Sequence, residues 1–308
     1  MKVAMTAHCH LLSFEKADER TQTFITLLDN LRTRDIRHLI IAGDLFDKET
    51  HNYGSFEKIL RVPRFRDIHL WVIPGNHDSK LQSSHFAGKK ITVFDKPEIK
   101  RFDLMSRDFL FVPYNQESSM GAAIASLSGE LREDEWILVG HGDWTDSLQE
   151  PNPYEPGVYM PLTNTDINRF RPRKVLLGHI HKPCDSRRVH YPGSPCPLHI
   201  NETGRRRFLI IDSETGAVTP SPLDSEKLFF HMDLLLVPCA DEAGYLRRQV
   251  SAWFEERQLS KEEMSKSLER DRVRGYTRNK QAARGTIRRL LTETPLFDAQ
   301  AVDYTTLH

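Results

Sequence analysis

Five clusters of metal-binding side chains stand out in the 308 residues, each at the end of a short apolar run. His8-Cys9-His10 follows Val3 to Thr6, and Gly43-Asp44-Leu45-Phe46-Asp47 follows Leu39 to Ile41. Pro74-Gly75-Asn76-His77-Asp78 follows Ile68 to Ile73, Gly140-His141-Gly142-Asp143 follows Trp136 to Val139, and Gly178-His179-Ile180-His181 follows Val175 to Leu177. Imidazole nitrogens, carboxylates and amide oxygens are the donors that divalent cations take. Two such ions ~3.5–4 Å apart need a carboxylate between them. Asp44, on a tight glycine turn, is the natural bridge. His8, His10 and His181 would complete one ion, and Asn76, His141 and His179 the other. A water between the two ions would be the nucleophile, its pKa lowered by them. His77 would protonate a leaving oxygen or stabilise a charged phosphorus centre, which makes His77 and its neighbour Asp78 the catalytic candidates. Asp78 or Asp47 would orient a histidine through its second ring nitrogen. A single histidine at a strand end is as readily a hydrogen-bonding cap; five clusters in sequence are not.

The elements that must hold these clusters are short strands alternating with helices. Continuous apolar runs suit strands buried on both faces. A helix is predicted over roughly 17–34, with Phe24, Leu27, Leu28 and Leu31 on one stripe, and a second around 118–131. Phe109 to Pro113 is one more strand, with no polar cluster after it. The alternation predicts a layered α/β fold, in which ligands collect at the carboxyl ends of strands. Arg188 to Tyr191 and Arg207 to Asp212 would finish the sheet, and the prolines and glycine of 216–226 read as a linker. Beyond it, a strand at Phe229 to Val237, a helix over 241–257, a strand at Arg272 to Thr277 and a basic helix over 279–292 predict a small α+β unit. The domains are therefore expected at 1–222 and 223–294, followed by a C-terminal tail, 295–308, that carries no clear signal.

Composition narrows the partners. With 43 Lys+Arg against 43 Asp+Glu the formal net charge is zero, which excludes a uniformly basic surface. Any nucleic-acid contact must come from local patches. The candidates are Arg187 and Arg188, then Arg205, Arg206 and Arg207, with further clusters at Arg169, Arg171, Arg173 and Lys174 and on the basic helix (Lys280, Arg284, Arg288, Arg289). Each is equally well a solvated face. His51, His85 and His190 lie near the motifs, where they would either contact phosphate or simply be exposed. The four cysteines are widely spaced and form no CxxC pair, which fits a reducing compartment. Cys9 reads as a small core residue. No stretch reaches the ~18 apolar residues of a membrane span, and a cytoplasmic location is expected.

GDLFD (43–47), GNHD (75–78), HG (141–142) and GHIH (178–181) resemble the calcineurin-like metallophosphoesterase superfamily. More narrowly, YPGSPCPLHINE (191–202), with its PGS turn and Glu202, resembles the SbcD-type nucleases of double-strand-break repair. The resemblance implies a four-layer αββα sandwich with a small C-terminal α+β capping domain. It implies ligands at His10, Asp44, Asn76, His141, His179 and His181, and a catalytic role for His77. It further implies two divalent metals, manganese first, with iron, zinc or magnesium as substitutes. The expected activity is a manganese-type DNA exo- or endonuclease associated with the nucleoid. The expected partners are DNA, a second copy of the chain and an SbcC-type SMC-like ATPase. The alternatives are a small-molecule phosphodiesterase or phosphatase on the same centre, and a non-catalytic DNA-end-binding subunit. One departure matters. The family's first motif is DxH, and here it reads His8-Cys9-His10. Imidazole in place of carboxylate removes a negative charge, weakening a hard cation and favouring softer ones.

Overall fold

The computed structural model describes residues 1–12, 18–47, 53–102, 107–146, 156–292 and 302–307. In chain order its strands and α-helices are β1 (Lys2–Thr6), α1 (Glu19–Thr33), β2 (His38–Ala42), α2 (Tyr53–Arg61), β3 (His69–Ile73), β4 (Ile91–Val93), β5 (Glu98–Lys100), β6 (Asp108–Val112), α3 (Met120–Leu127) and β7 (Trp136–His141). There follow α4 (Asn164–Phe170), β8 (Lys174–Gly178), β9 (Cys184–Asp185), β10 (Val189–Tyr191), β11 (Arg206–Asp212), β12 (Val218–Leu223), β13 (Leu228–Leu236), α5 (Glu242–Arg257), α6 (Lys261–Ser265), β14 (Ser267–Gly275), α7 (Lys280–Thr292) and β15 (Asp303–Leu307). The chain forms two compact units: Met1–Cys196 with Arg205–Ser225, and Pro197–Gly204 with Glu226–His308.

The first unit carries two six-stranded sheets, ordered β12-β11-β1-β2-β3-β4 and β5-β6-β7-β8-β10-β9. Each has a parallel centre; the first is antiparallel at its β12-β11 edge and parallel at β4, and the second is antiparallel at both edges. The apolar runs are continuous because both faces of the central strands are covered. On β2, Leu39 and Ile41 join the core beneath α1 and α2, while Ile40 and Ala42 point into the layer between the sheets. On β6, Phe109 and Phe111 fill that middle layer, and Leu110 and Val112 pack towards α3 and α4. Alternate side chains of a strand face opposite sides, so each run feeds two cores at once. The result is the αββα sandwich. Helix α1 starts where predicted because Asp18 caps it, its side chain accepting from the Thr21 amide at 2.8 Å.

The second unit is a parallel sheet, β13-β14-β15, with α5 and α7 on it. Leu228, Phe230, Met232, Leu234 and Leu236 of β13 meet Leu246, Val250 and Trp253 of α5 and Ala283, Ile287, Leu290 and Leu291 of α7. Both helices present the i, i+4, i+7 spacing of a buried stripe.

Three expectations need correction. The segment read as a linker at 216–226 holds β12, paired antiparallel along β11. Its Pro220 and Pro222 are tolerated because β12 is an edge strand, where a missing amide leaves no ladder bond unmade. The strand read at Arg272–Thr277 begins at Ser267 and ends at Gly275. Residues 303–307, inside the tail read as featureless, form β15 on the edge of the second sheet. His51 and residues 293–301 lie outside the described residues.

Candidate metal centre

The loops that follow the strands are zipped to one another, and this aligns the clusters. His8 N–H donates to Gly43 O at 3.1 Å, His10 N–H to Asp44 O at 3.0 Å, and Leu11 N–H to Leu45 O at 2.9 Å. The segment after β1 therefore runs beside the segment after β2. His77 N–H donates to Asp44 Oδ1 at 2.9 Å, tying in the loop after β3, and Gly142 N–H donates to Gly178 O at 3.2 Å, joining the loops after β7 and β8. His8, His10, Asp44 and His179 all hold left-handed backbone, with φ of 55°, 42°, 53° and 94°. Such conformations are unfavourable for side-chain-bearing residues and gather where function fixes geometry. Glycine is obligatory at two points of close approach. A Cβ on Gly43 would stand 1.9 Å from His141 Nδ1, and one on Gly75 would stand 2.1 Å from Asp44 Oδ1.

Three trios bring ligand atoms within 4.8 Å of one another: His8, His10 and His181; His8, Asp44 and His141; His10, Asp44 and His77. Asp44 is the hub. Its Oδ2 lies 3.1 Å from His8 Nδ1, 3.4 Å from His141 Nε2 and 3.7 Å from His10 Nε2. His179 stands further out, its ring 5.4 Å from that of His141 and its Nε2 3.7 Å from Asp143 Oδ1. The tight packing is thus on the His8–His10–His181 side. The side with a complete set of expected ligands (Asp44, Asn76, His141 and His179) is looser.

Asp44, His8, His10 and His141 are almost wholly buried. Burial works against a charged Asp44, yet His141, His8 and His10 hold its carboxyl well below the usual carboxylate range. Burial, with the charge of His181, pushes His8 well below the ordinary histidine value, and burial takes His10 down to about 4. These rings are neutral at physiological pH and carry lone pairs. His8 turns its lone pair to the His179 amide, whereas that of His10 meets no donor among the described residues. His141 Nδ1 lies 2.9 Å from the carbonyl of Ala42, which can only accept, so the ring proton is on Nδ1. Nε2 then faces Asn76 Oδ1 at 2.9 Å and Asp44 Oδ2 at 3.4 Å, three donor atoms that one cation could share. Among the described residues, Asp44 Oδ2 and both ring nitrogens of His10 are buried without a hydrogen-bond partner. Buried polar atoms are rarely left so, and a divalent cation fits this donor set.

The two aspartates proposed to orient a histidine part company. Asp47 Oδ1 lies 3.2 Å from His77 Nδ1, and its Oδ2 receives Arg20 Nη1 at 3.2 Å. Asp78 instead binds backbone: Oδ1 accepts from Gly75 N–H at 2.7 Å and Oδ2 from Phe46 N–H at 3.2 Å. It clamps the loops after β2 and β3 together. Burial and the charge of Asp44 raise its carboxyl above the usual range. Its oxygens are engaged, so the expectation of a catalytic Asp78 is replaced by one of a loop brace. Cys9 is a buried core residue, as its alternation predicts.

Of the arginine candidates, Arg206 is buried, donating Nε to Ser194 O at 2.8 Å and Nη2 to His181 O at 2.8 Å. Arg207 is held by Asp185 Oδ2 at 2.5 Å and Tyr191 O at 2.9 Å. Neither is placed to meet a phosphate chain. Arg206 is a structural residue that fixes the PGS turn to the backbone of His181. Arg187 and Arg205 are exposed and Arg188 is half-buried. His190 is engaged by Asp185 at 2.9 Å, and His85 stacks on Tyr53. Glu202 accepts from the Leu198 and His199 amides at 3.1 Å each and braces its own turn.

Two residues without a motif line the His141–His179 side. Tyr114 stands edge-on to His141 with ring centres 6.2 Å apart, and Tyr159 lies 4.5 Å from His179. Tyr114 ends the one apolar run that lacked a polar cluster, so position at a strand's carboxyl end was the available signal. Tyr159 sits in a loop, held by its amide to Asp143 Oδ2 at 2.7 Å, and had none.

The chain is 24% identical over 210 residues to an uncharacterised metallophosphoesterase, YhaO, of Bacillus subtilis, covering 63% of this chain and 49% of that one. It is 23% identical over 256 residues to the DNA double-strand break repair protein Mre11 of Methanopyrus kandleri, covering 71% and 55%. It thus spans about half the length of these relatives. Among solved structures, a dimetal phosphatase from Danio rerio superposes with a TM-score of 0.44 at 9% identity, over 72% of this chain and 96% of that one. The calcineurin-like phosphoesterase family model matches residues 1–183, from β1 through the last histidine of the cluster. With that match across more than half of its length, the chain belongs to the calcineurin-like phosphoesterases.

Proposed function

We propose that the protein hydrolyses phosphodiester bonds in DNA. The observation that carries the hydrolytic reading is the convergence of His8, His10 and His141 on the buried Oδ2 of Asp44, which, like both ring nitrogens of His10, has no hydrogen-bond partner among the described residues. His10, Asp44, Asn76, His141, His179 and His181 are the residues that would hold divalent cations, with manganese the first choice. A bound divalent ion supplies Lewis acidity to a phosphoryl oxygen and a lowered pKa to water. The protein's own groups do the rest. Asp47 holds the Nδ1 edge of His77, itself fixed by Arg20, so the ring is aimed before substrate arrives. Among the site's imidazoles His77 is partly exposed, at 17%, while His8, His10 and His141 are sealed. That places it to give a proton to the departing oxygen. Tyr114 and Tyr159 wall the opposite side.

DNA as substrate draws support from the likeness to Mre11, described as a double-strand break repair protein, and from the PGS segment. Pairing with a second copy and with an SMC-like ATPase belongs to the same proposal. A second reading has its own observation. A cleft of about 540 Å³, lined by Tyr114 with Asp95, Lys96, Asn115 and Gln116, has the size for a small organic phosphodiester. End-labelled linear duplex and bis-p-nitrophenyl phosphate, each with manganese, separate the two. Cleavage of the duplex supports the nuclease. Turnover of the small ester with an intact duplex overturns it in favour of the small-molecule enzyme.

A further inference from the structure

His8 stands where the family's motif has an aspartate, and its two nitrogens have unlike surroundings. Nε2 receives the backbone N–H of His179. An amide N–H can only donate, so Nε2 presents a lone pair there and bears no proton. The ring proton must then sit on Nδ1. That nitrogen lies 3.1 Å from Asp44 Oδ2. A nitrogen that carries a proton has no lone pair to give a metal. The ring cannot escape by turning over. It is 1% exposed, with His181 at 4.3 Å, His141 at 5.3 Å and His10 at 5.6 Å between ring centres, and a flip would set Cε1–H in place of Nε2 against the His179 amide, costing that amide this acceptor.

We infer that His8 is not a metal ligand but a positioning residue, whose protonated Nδ1 stands beside Asp44 while its Nε2 holds the His179 amide, and that the centre binds one divalent cation tightly instead of two. Charge supports the same count. Asp44 is the one carboxylate in the trios, and the other donors there are imidazoles. Two dications side by side repel strongly, and one shared carboxylate offsets little of that repulsion. The cation's place is the Asp44–Asn76–His141 side, where Nε2 of His141 and Oδ1 of Asn76 already face each other at 2.9 Å. His10 and His181 remain a weak second position, filled only at high metal concentration.

This rests on the cluster being a metal centre, and the test separates the two claims. The full chain is equilibrated with manganese, freed of loose metal by gel filtration and its metal content measured. About one manganese per chain is expected, and about two for His8→Asp, which restores the carboxylate. Two per chain in the unaltered protein overturns the inference; none overturns the metal centre itself. Should His8→Asp fail to fold, nitrogen-15 spectra of the unaltered protein with zinc decide. The His8 Nδ1 proton is expected to persist through loading, and its loss with a ligand-type shift of Nδ1 overturns the inference.

Discussion

Asp44 is the residue on which the site turns, since it meets His8, His10 and His141 through one oxygen and the His77 amide through the other. Asp44→Asn is expected to abolish both manganese binding and phosphodiester turnover, read by metal analysis and by the bis-p-nitrophenyl phosphate assay. Wild-type rates in that variant would remove Asp44 from the mechanism. His77→Ser should retain bound metal and lose about 10²-fold or more in kcat, the usual scale for a positioned acid. Loss of metal there would make His77 a ligand, which its trio with His10 and Asp44 permits geometrically. At this scale the sequence was informative because the chemistry dictates residue type: imidazole and carboxylate at strand ends have few other uses in such numbers. It misled where type is ambiguous. Arg206 carries the same charge as Arg205, and only burial distinguishes the brace from the exposed side chain. Asp78 and Asp47 have equal claims on paper, and the direction of two backbone amides decides between them.

The loops after β1, β2, β3, β7 and β8 act as elements in their own right, held by backbone bonds across the strand ends. Their glycines belong to the geometry. Gly75→Ala would drive a methyl against the Asp44 carboxylate. It is expected to weaken manganese binding at least tenfold in titration calorimetry while the far-ultraviolet circular dichroism stays unchanged. Equal affinity would show that the loop after β3 can move aside. Central strands of the sandwich were legible because burial on both faces writes an unbroken apolar run. The strands that escaped notice lack such a run for physical reasons. Edge strand β12 contains two prolines, and the edge strand β15 is short and polar. Strand β14 carries Ser267, Glu269 and Asp271 on its buried face, with Leu268 and Arg270 between them on the exposed one, so the usual alternation of buried apolar and exposed polar residues is absent from its first half.

Across the whole molecule, that buried acidic pair makes the second unit respond to pH by itself. Glu269 and Asp271 are 2% and 1% exposed, and none of their four oxygens has a hydrogen-bond partner among the described residues. They satisfy one another only with a proton between them. Burial, aided for Glu269 by the charge of Asp271 and opposed by Arg257, pushes both carboxyls well above the usual range, towards neutrality. The folded unit therefore keeps protons that the unfolded chain releases. Its stability is expected to fall as pH rises from the ordinary carboxylate range through about 8, and then to level off. Glu269→Gln should melt with wild type in mild acid and several degrees higher at about pH 9, a gain on the order of a few kcal/mol. Parallel melting curves for the two proteins across that range would mean the pair is not buried in solution.

The order β12-β11-β1-β2 has a consequence for how the protein is made. The strand that delivers His8 and His10 lies inside its sheet, yet one of its neighbours is drawn from residues 206–212. During synthesis β1 emerges first and can pair with β2 at once, since only 31 residues separate Thr6 from His38 in the chain. Its other edge stays open until some two hundred residues have followed. A ribosome adding about 5–20 residues per second leaves that edge bare for roughly ten seconds or more. An unpaired, apolar strand edge invites association with other chains. Nascent chains stalled before residue 206 should therefore be the aggregation-prone species, and the first histidines of the centre wait on the last strands of the sandwich for their support.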